Sequence, residues 1–156
     1  MAVSRFRRGH LSLPEQQQIL TRIGTKLLAE VPEDWERVTY FIQSVIDHSS
    51  AEVVVEFPDG TSRRESLPAE VFSLTDELRA GMYQEGKGTW FSMRYVISRP
   101  GKFNVDFDYD EDPGITFPTS QGFTKDLRYF PREEANIPEW LREKLREEAE
   151  GRADQL

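Results

Sequence analysis

Three carboxylates recur at every second position in Asp106-x-Asp108-x-Asp110, and Glu111 and Asp112 follow at once. Carboxylates so spaced could hold a hard cation, as in the opening of a calcium-binding loop. Such a loop needs a glycine at its sixth position and a bidentate glutamate at its twelfth, where this chain has Glu111 and Phe117. In an extended strand the three carboxylates stand about 7 Å apart, too far to share one ion. What remains is electrostatics. A row of like charges is stable in water or against a basic partner, so the run reads as a solvated or partner-facing surface.

Other chemistries fall short by identifiable residues. Gly81-x4-Gly86-Lys87-Gly88 misses the phosphate-binding loop GxxxxGK[ST] at Gly88, which replaces the hydroxyl residue that holds magnesium. It also runs from a helix to a strand, the reverse of the required order, and reads as a helix terminator. His10 and His48 lie apart, in an arm and a turn, and the chain has no cysteine. Neither a metal shell nor a nucleophilic triad assembles around them. Carboxylate pairs suited to glycoside hydrolysis arise by chance among 28 acidic residues. Trp35, Trp90 and Trp140 read as packing residues, and alternation puts Trp90 with Arg94 and Val96, opposite Phe91, Met93, Tyr95 and Ile97. No catalytic residue, cofactor or metal is expected.

The acidic run needs a strand to carry it. Phe103, Val105, Phe107 and Tyr109 alternate with Asn104, Asp106, Asp108 and Asp110, so one side can bury while the other stays polar. With the strand before it, 89–98, and the turn Arg99-Pro100-Gly101-Lys102, this makes a hairpin. A first helix is expected over 13–30, opened by the capping box Ser12 and Glu15 with Pro14 in the first turn, and striped by Ile19, Leu20, Ile23, Leu27 and Leu28. Strands follow over 37–46, 52–57 and 61–67, the last two joined by Pro58-Asp59-Gly60. Val71, Leu74, Leu78 and Met82 mark a second helix over 68–84. Beyond Asp112, Pro113, Gly114, Pro118, Gly122 and Pro131 break periodicity, so that stretch reads as a long ordered loop pinned by aromatics. A last helix starts near Pro138. The order implies an α+β fold: one antiparallel sheet of about five strands, with helices at the N-terminus, middle and C-terminus.

Composition narrows the classes further. The chain has 156 residues, enough for one core, divided here into an arm at 1–11 expected to be mobile, a domain over 12–150 and a tail at 151–156. Its 20 Lys and Arg against 28 Asp and Glu give a net charge of −8. That balance argues against direct nucleic-acid binding and suits either plain solubility, the commoner reason for an acidic domain, or a protein that meets a basic partner. Arg5, Arg7 and Arg8 have no apolar run behind them, so no signal peptide is read, and no stretch of about 18 apolar residues could span a membrane. Freedom from cysteine is compatible with a cytoplasmic protein. The sequence does not give an oligomeric state.

Several stretches together resemble the YezG-like immunity proteins. They are Val31-Pro32-Glu33-Asp34-Trp35 after the first helix, Trp90 opening a strand, and Gly101-Lys102-Phe103-Asn104-Val105-Asp106-Phe107-Asp108-Tyr109. Arg128-Tyr129-Phe130-Pro131-Arg132 and Asn136-Ile137-Pro138-Glu139-Trp140 are similar to the family's closing segment. The resemblance covers about 13–145; the arginine-bearing arm is an extension to it. It implies an intracellular bacterial antitoxin, without catalysis, that neutralises the toxic C-terminal domain of a polymorphic secreted toxin, often a nuclease. A nuclease presents a basic cleft, so Asp106, Asp108, Asp110, Glu111 and Asp112, with Phe117 and Phe123 as exposed aromatics beside them, are the expected toxin contacts. Two other classes stand next to this one. An enzyme would need a deep pocket with converging ionisable groups, and a regulatory interaction module would show an apolar patch without strong charge.

Overall fold

The computed structural model describes residues 7–114 and 121–151. In chain order it contains α1 (Leu13–Leu28), β1 (Arg37–Val45), β2 (His48–Glu56), β3 (Ser62–Glu65), α2 (Ala69–Gly81), β4 (Ser92–Ser98), β5 (Lys102–Asp108), α3 (Gly122–Tyr129) and α4 (Glu139–Ala149), with a 3-10 turn at Glu134–Asn136. The strands form one antiparallel sheet in the order β3-β2-β1-β4-β5, which is the expected α+β class. No described helix is long and apolar enough to cross a membrane.

Period-two alternation decides which side of the sheet is dry. Val38, Tyr40 and Ile42 of β1, Val53 and Val55 of β2, and Met93, Tyr95 and Ile97 of β4 are buried in one cluster. Ile19, Leu20, Ile23 and Leu27 of α1 and Val71, Leu74 and Leu78 of α2 complete it, so the two helices cover that face. Phe103, Val105 and Phe107 of β5 are only half-buried, as befits the outermost strand. The opposite face carries rows of polar residues. Register puts Glu52, Phe41, Arg94 and Asp106 in line across four strands, and the Arg94 guanidinium lies 4.9 Å from the Phe41 ring centre.

Two buried tyrosines tie helices to sheet. Tyr95 donates to the Leu20 carbonyl at 2.6 Å, and Tyr40 meets Thr75, 2.9 Å away, whose own hydroxyl donates to Val71. Burial pushes both phenols well above the ordinary tyrosine pKa, against smaller opposing contributions from Thr75 at Tyr40 and from the Gly24 backbone at Tyr95. The neutral form is therefore favoured by folding. Stability held this way is complete below the unfolded pKa near about 10 and is lost as pH rises through it toward the higher folded values. The unfolding midpoint should fall steeply in that alkaline window, and Tyr40→Phe should flatten the fall; a pH series of urea melts reads both.

Gly24 lets the Tyr95 contact form. A Cβ there would stand 2.5 Å from the Tyr95 hydroxyl oxygen. Ala is a better helix former by about 1 kcal/mol, yet Gly24→Ala should destabilise by about 1–3 kcal/mol in denaturant unfolding, because the overlap falls on a hydroxyl held in place by its bond to Leu20.

The capping box of α1 forms as its sequence requires: the Glu15 N–H donates to Ser12 Oγ at 3.3 Å and the Ser12 N–H to Glu15 Oε1 at 2.9 Å. Elsewhere the structure departs from expectation. His48 opens β2 and is not in a turn; Val45 pairs with it, so polar His48, Ser49 and Ser50 extend the hairpin with no apolar alternation to announce it. Within the stretch expected as loop, 122–129 is helical. Its first turn takes its cap from a distant element: Glu148 of α4 accepts from Phe123 N at 3.1 Å and from Thr124 N at 2.8 Å. Trp90 does not share a side with Arg94. It is fully buried, with its ring centre 5.6 Å from Phe107, because the strand begins only at Ser92 and alternation does not extend back to it.

Of the N-terminal stretch, residues 7–11 are described. Gly9 N donates to Ala80 O at 2.8 Å, and Arg8 donates to the Tyr129 carbonyl at 2.8 Å with its guanidinium 5.4 Å from the Tyr83 ring centre.

Candidate functional site: an acidic shoulder on buried arginines

β5 ends at Asp108, so the carboxylates do not continue as one strand row. Asp106 is exposed on the open face of the sheet. Asp108 is half-buried, and its Oδ1 accepts the N–H groups of Asp110 at 3.2 Å and Glu111 at 2.9 Å, which folds the chain out of the strand. Asp112 closes the next turn by accepting from Gly114 N at 2.9 Å. The result is a shoulder beyond the end of β5 from which Asp110, Glu111 and Asp112 project into solvent, as Asp106 does from the strand itself.

Residues remote in sequence hold this shoulder. The Arg132 side chain is 1% exposed and reaches Asp110 at 3.1 Å, while the Asp110 side chain remains 79% exposed. Arg132 also donates to the carbonyls of Tyr109, Thr89 and Asn136 at 2.5, 3.2 and 3.0 Å. Burial draws its pKa below the ordinary arginine value, and Asp110 opposes that shift. Trp140 of α4 donates from Nε1 to the Asp110 carbonyl at 2.7 Å, and Gln43 of β1 reaches the Pro113 carbonyl. Turn and flanks are thus fixed from beneath and from both sides.

The loop that resembles a phosphate site serves the same arginine. Gly88 has φ +84°, and a Cβ there would stand 2.5 Å from Arg132 Nε, so only glycine lets the loop close over the guanidinium. Gly86 accepts from Asn136 Nδ2 at 2.9 Å and from Glu133 N at 2.7 Å.

A second arginine lies deeper. Arg79 of α2 grips Asp126 of α3 with two bonds of 2.7 and 3.0 Å, both side chains being 4% exposed. Its Nε donates to the Trp90 carbonyl at 2.7 Å, and its guanidinium lies 5.2 Å from the Phe130 ring centre. The Phe91 ring stands between the two cations, 5.7 Å from Arg79 and 5.2 Å from Arg132. Sequence reasoning missed both arginines. The available signal was Arg79 next to Leu78 and four residues after Thr75, a charge inside an otherwise apolar helix stripe.

Phe123 is not an exposed aromatic. It is 4% exposed, packed 5.7 Å from the Phe91 and Trp140 ring centres, because α3 turns it inward onto α4. It supports the shoulder from below and offers no surface to a partner. Phe117 lies outside the described residues. The open sheet face holds a shallow concavity of about 280 Å³ lined by Thr39, Phe41, Glu52, Val54 and Arg94, where one carboxylate and one guanidinium flank an aromatic ring. Among the described residues no group of three or more histidine and acidic side chains is placed to hold a metal.

No curated protein matches the chain. The family model described as "Immunity protein YezG-like" matches residues 62–134, the stretch from β3 to the residue after Glu133. That stretch contains the whole acidic shoulder, Arg79, Asp126 and Arg132, while residues 31–35 and 136–140 of the motif resemblance lie beyond it. The match supports the family that the motifs resemble, the YezG-like immunity proteins.

Proposed function

We propose that this protein is an antitoxin that binds the toxic C-terminal domain of its cognate polymorphic toxin, a nuclease, and neutralises it without catalysis. The acidic shoulder supplies the contact: Asp106, Asp110, Glu111 and Asp112 face the basic cleft in which the nuclease would hold phosphate. In this reading the protein works in the cytoplasm, needs no cofactor and does not itself touch nucleic acid.

The observation that carries the reading is the bracing of the shoulder. Asp108 and Asp112 close its turns, and Arg132 and Trp140 fix Asp110 from below, so the charges are already in position before a partner arrives. Preorganised groups spare a complex the entropy of ordering them. Long-range attraction between opposite charges also speeds encounter.

Asp106→Lys with Glu111→Lys reverses charge at two exposed positions that do not brace the turn. Co-expressed with the cognate toxin domain, the double variant should fail to protect growth, with toxin affinity at least about a hundredfold weaker. Glu30→Lys, in the turn after α1 and outside the shoulder, should protect normally. Full protection and unchanged affinity in the double variant would end the acidic-contact reading.

A further inference from the structure

We propose that the free edge of β5 is the contact between two copies of this chain, paired antiparallel about a two-fold axis at Val105. β5 is the outermost strand, and among the described residues nothing pairs with its outer side. The Asp108 carbonyl accepts from Phe91 N at 2.9 Å and therefore points inward, toward β4. Backbone groups alternate in direction along an antiparallel strand, so the N–H and C=O of Phe107, Val105 and Phe103 point outward. Laying a second copy with Val105 on Val105 sets outward groups against outward groups. Phe103 then exchanges both bonds with Phe107 of the second copy. A register one residue away would oppose outward groups with inward ones, and centring on Val105 also overlaps the strand over its full length.

The side chains fit the same register. β5 reads KFNVDFD, so Lys102 faces Asp108 of the second copy and Asn104 faces Asp106. No two carboxylates stand directly opposite. Charges on an edge strand ordinarily keep other strands away; in this order the same charges match a copy of themselves. On the helix-covered side, half-buried Phe103 meets Phe107 of the second copy. That ring comes to the mouth of a groove of about 160 Å³ between α1 and the hairpin, lined by Gly24, Leu28, Tyr95, Gly101 and Phe103. The pairing removes the exposed sheet edge and uses none of Asp110, Glu111 and Asp112, which lie beyond the end of β5, so it does not depend on the antitoxin reading.

Sedimentation equilibrium on the full chain tests it without any toxin. From micromolar concentration upward the mass should rise to twice the 18.1 kDa of one chain. Val105→Pro removes an N–H that points outward, and edge strands tolerate proline, so this variant should sediment as one chain with its circular dichroism unchanged. Lys102→Asp places like charges opposite each other twice and should weaken the dimer about tenfold. Asn104→Lys, set against Asp106, should tighten it by a similar factor. A single-chain mass at every concentration overturns the proposal, as does a dimer indifferent to both Val105→Pro and Lys102→Asp while the fold is retained.

Discussion

Asp126→Ala is expected to lower stability by about 3–5 kcal/mol, a large share of what a domain of this size holds. The substitution leaves Arg79 charged in a place shut off from water, with both of its terminal nitrogens stripped of their acceptor. The Trp90 carbonyl still takes the Nε proton, but a carbonyl does not neutralise a cation. Removing both partners together should cost less, since a buried pair recovers little more than its own desolvation. Arg79→Met with Asp126→Leu should therefore be more stable than Asp126→Ala. Urea unfolding of the three proteins orders them, and the reverse order would mean that the ion pair itself, and not the orphaned charge, carries the energy.

Arg132→Ala should cost about 2–4 kcal/mol in the same measurement, through the unpaired carbonyls of Tyr109, Thr89 and Asn136 and the space left beside Phe91. A second effect is separable from the first. Asp110, Glu111 and Asp112 keep their charges, so association with the toxin domain should remain fast. What changes is the stiffness of the turn, and dissociation should speed up by about tenfold or more. Surface binding kinetics at a temperature where the variant is fully folded separate the two rates, and amide exchange of 109–112 should quicken in parallel. A slower association with unchanged dissociation would mean that Arg132 acts through charge alone.

Much of this fold is written locally. Ser12, Pro14 and Glu15 announce α1, and the alternation from Phe103 to Asp108 announces both β5 and its buried side, because helix caps and strand periodicity depend on neighbours within a few residues. What escapes a local reading depends on partners far along the chain. α3 has no cap of its own, and its N-terminus is satisfied by Glu148, some two dozen residues later. Phe123 follows from the same cause, since without α3 nothing turns its ring inward. The shoulder was legible as charge but not as geometry. Asp108 reads as one more member of a row, whereas its carboxylate is spent on the backbone and ends the strand. Arg132 sits in a stretch noticed only for its resemblance to a family, and its task becomes visible only when Gly88, Thr89 and Tyr109 gather around it.

The long-range cap links α4 to the buried ion pair through α3. Asp126 sits in the short helix whose opening amides Glu148 receives, and Asp126 is what neutralises Arg79 beneath Phe91. A polypeptide lacking α4 has no Glu148 to receive those amides, so the short helix that brings Asp126 to Arg79 loses its N-terminal acceptor. The charge balance around Arg79 is in this way tied to a second carboxylate on a different helix, whose bonds go to Phe123 and Thr124 and not to the guanidinium.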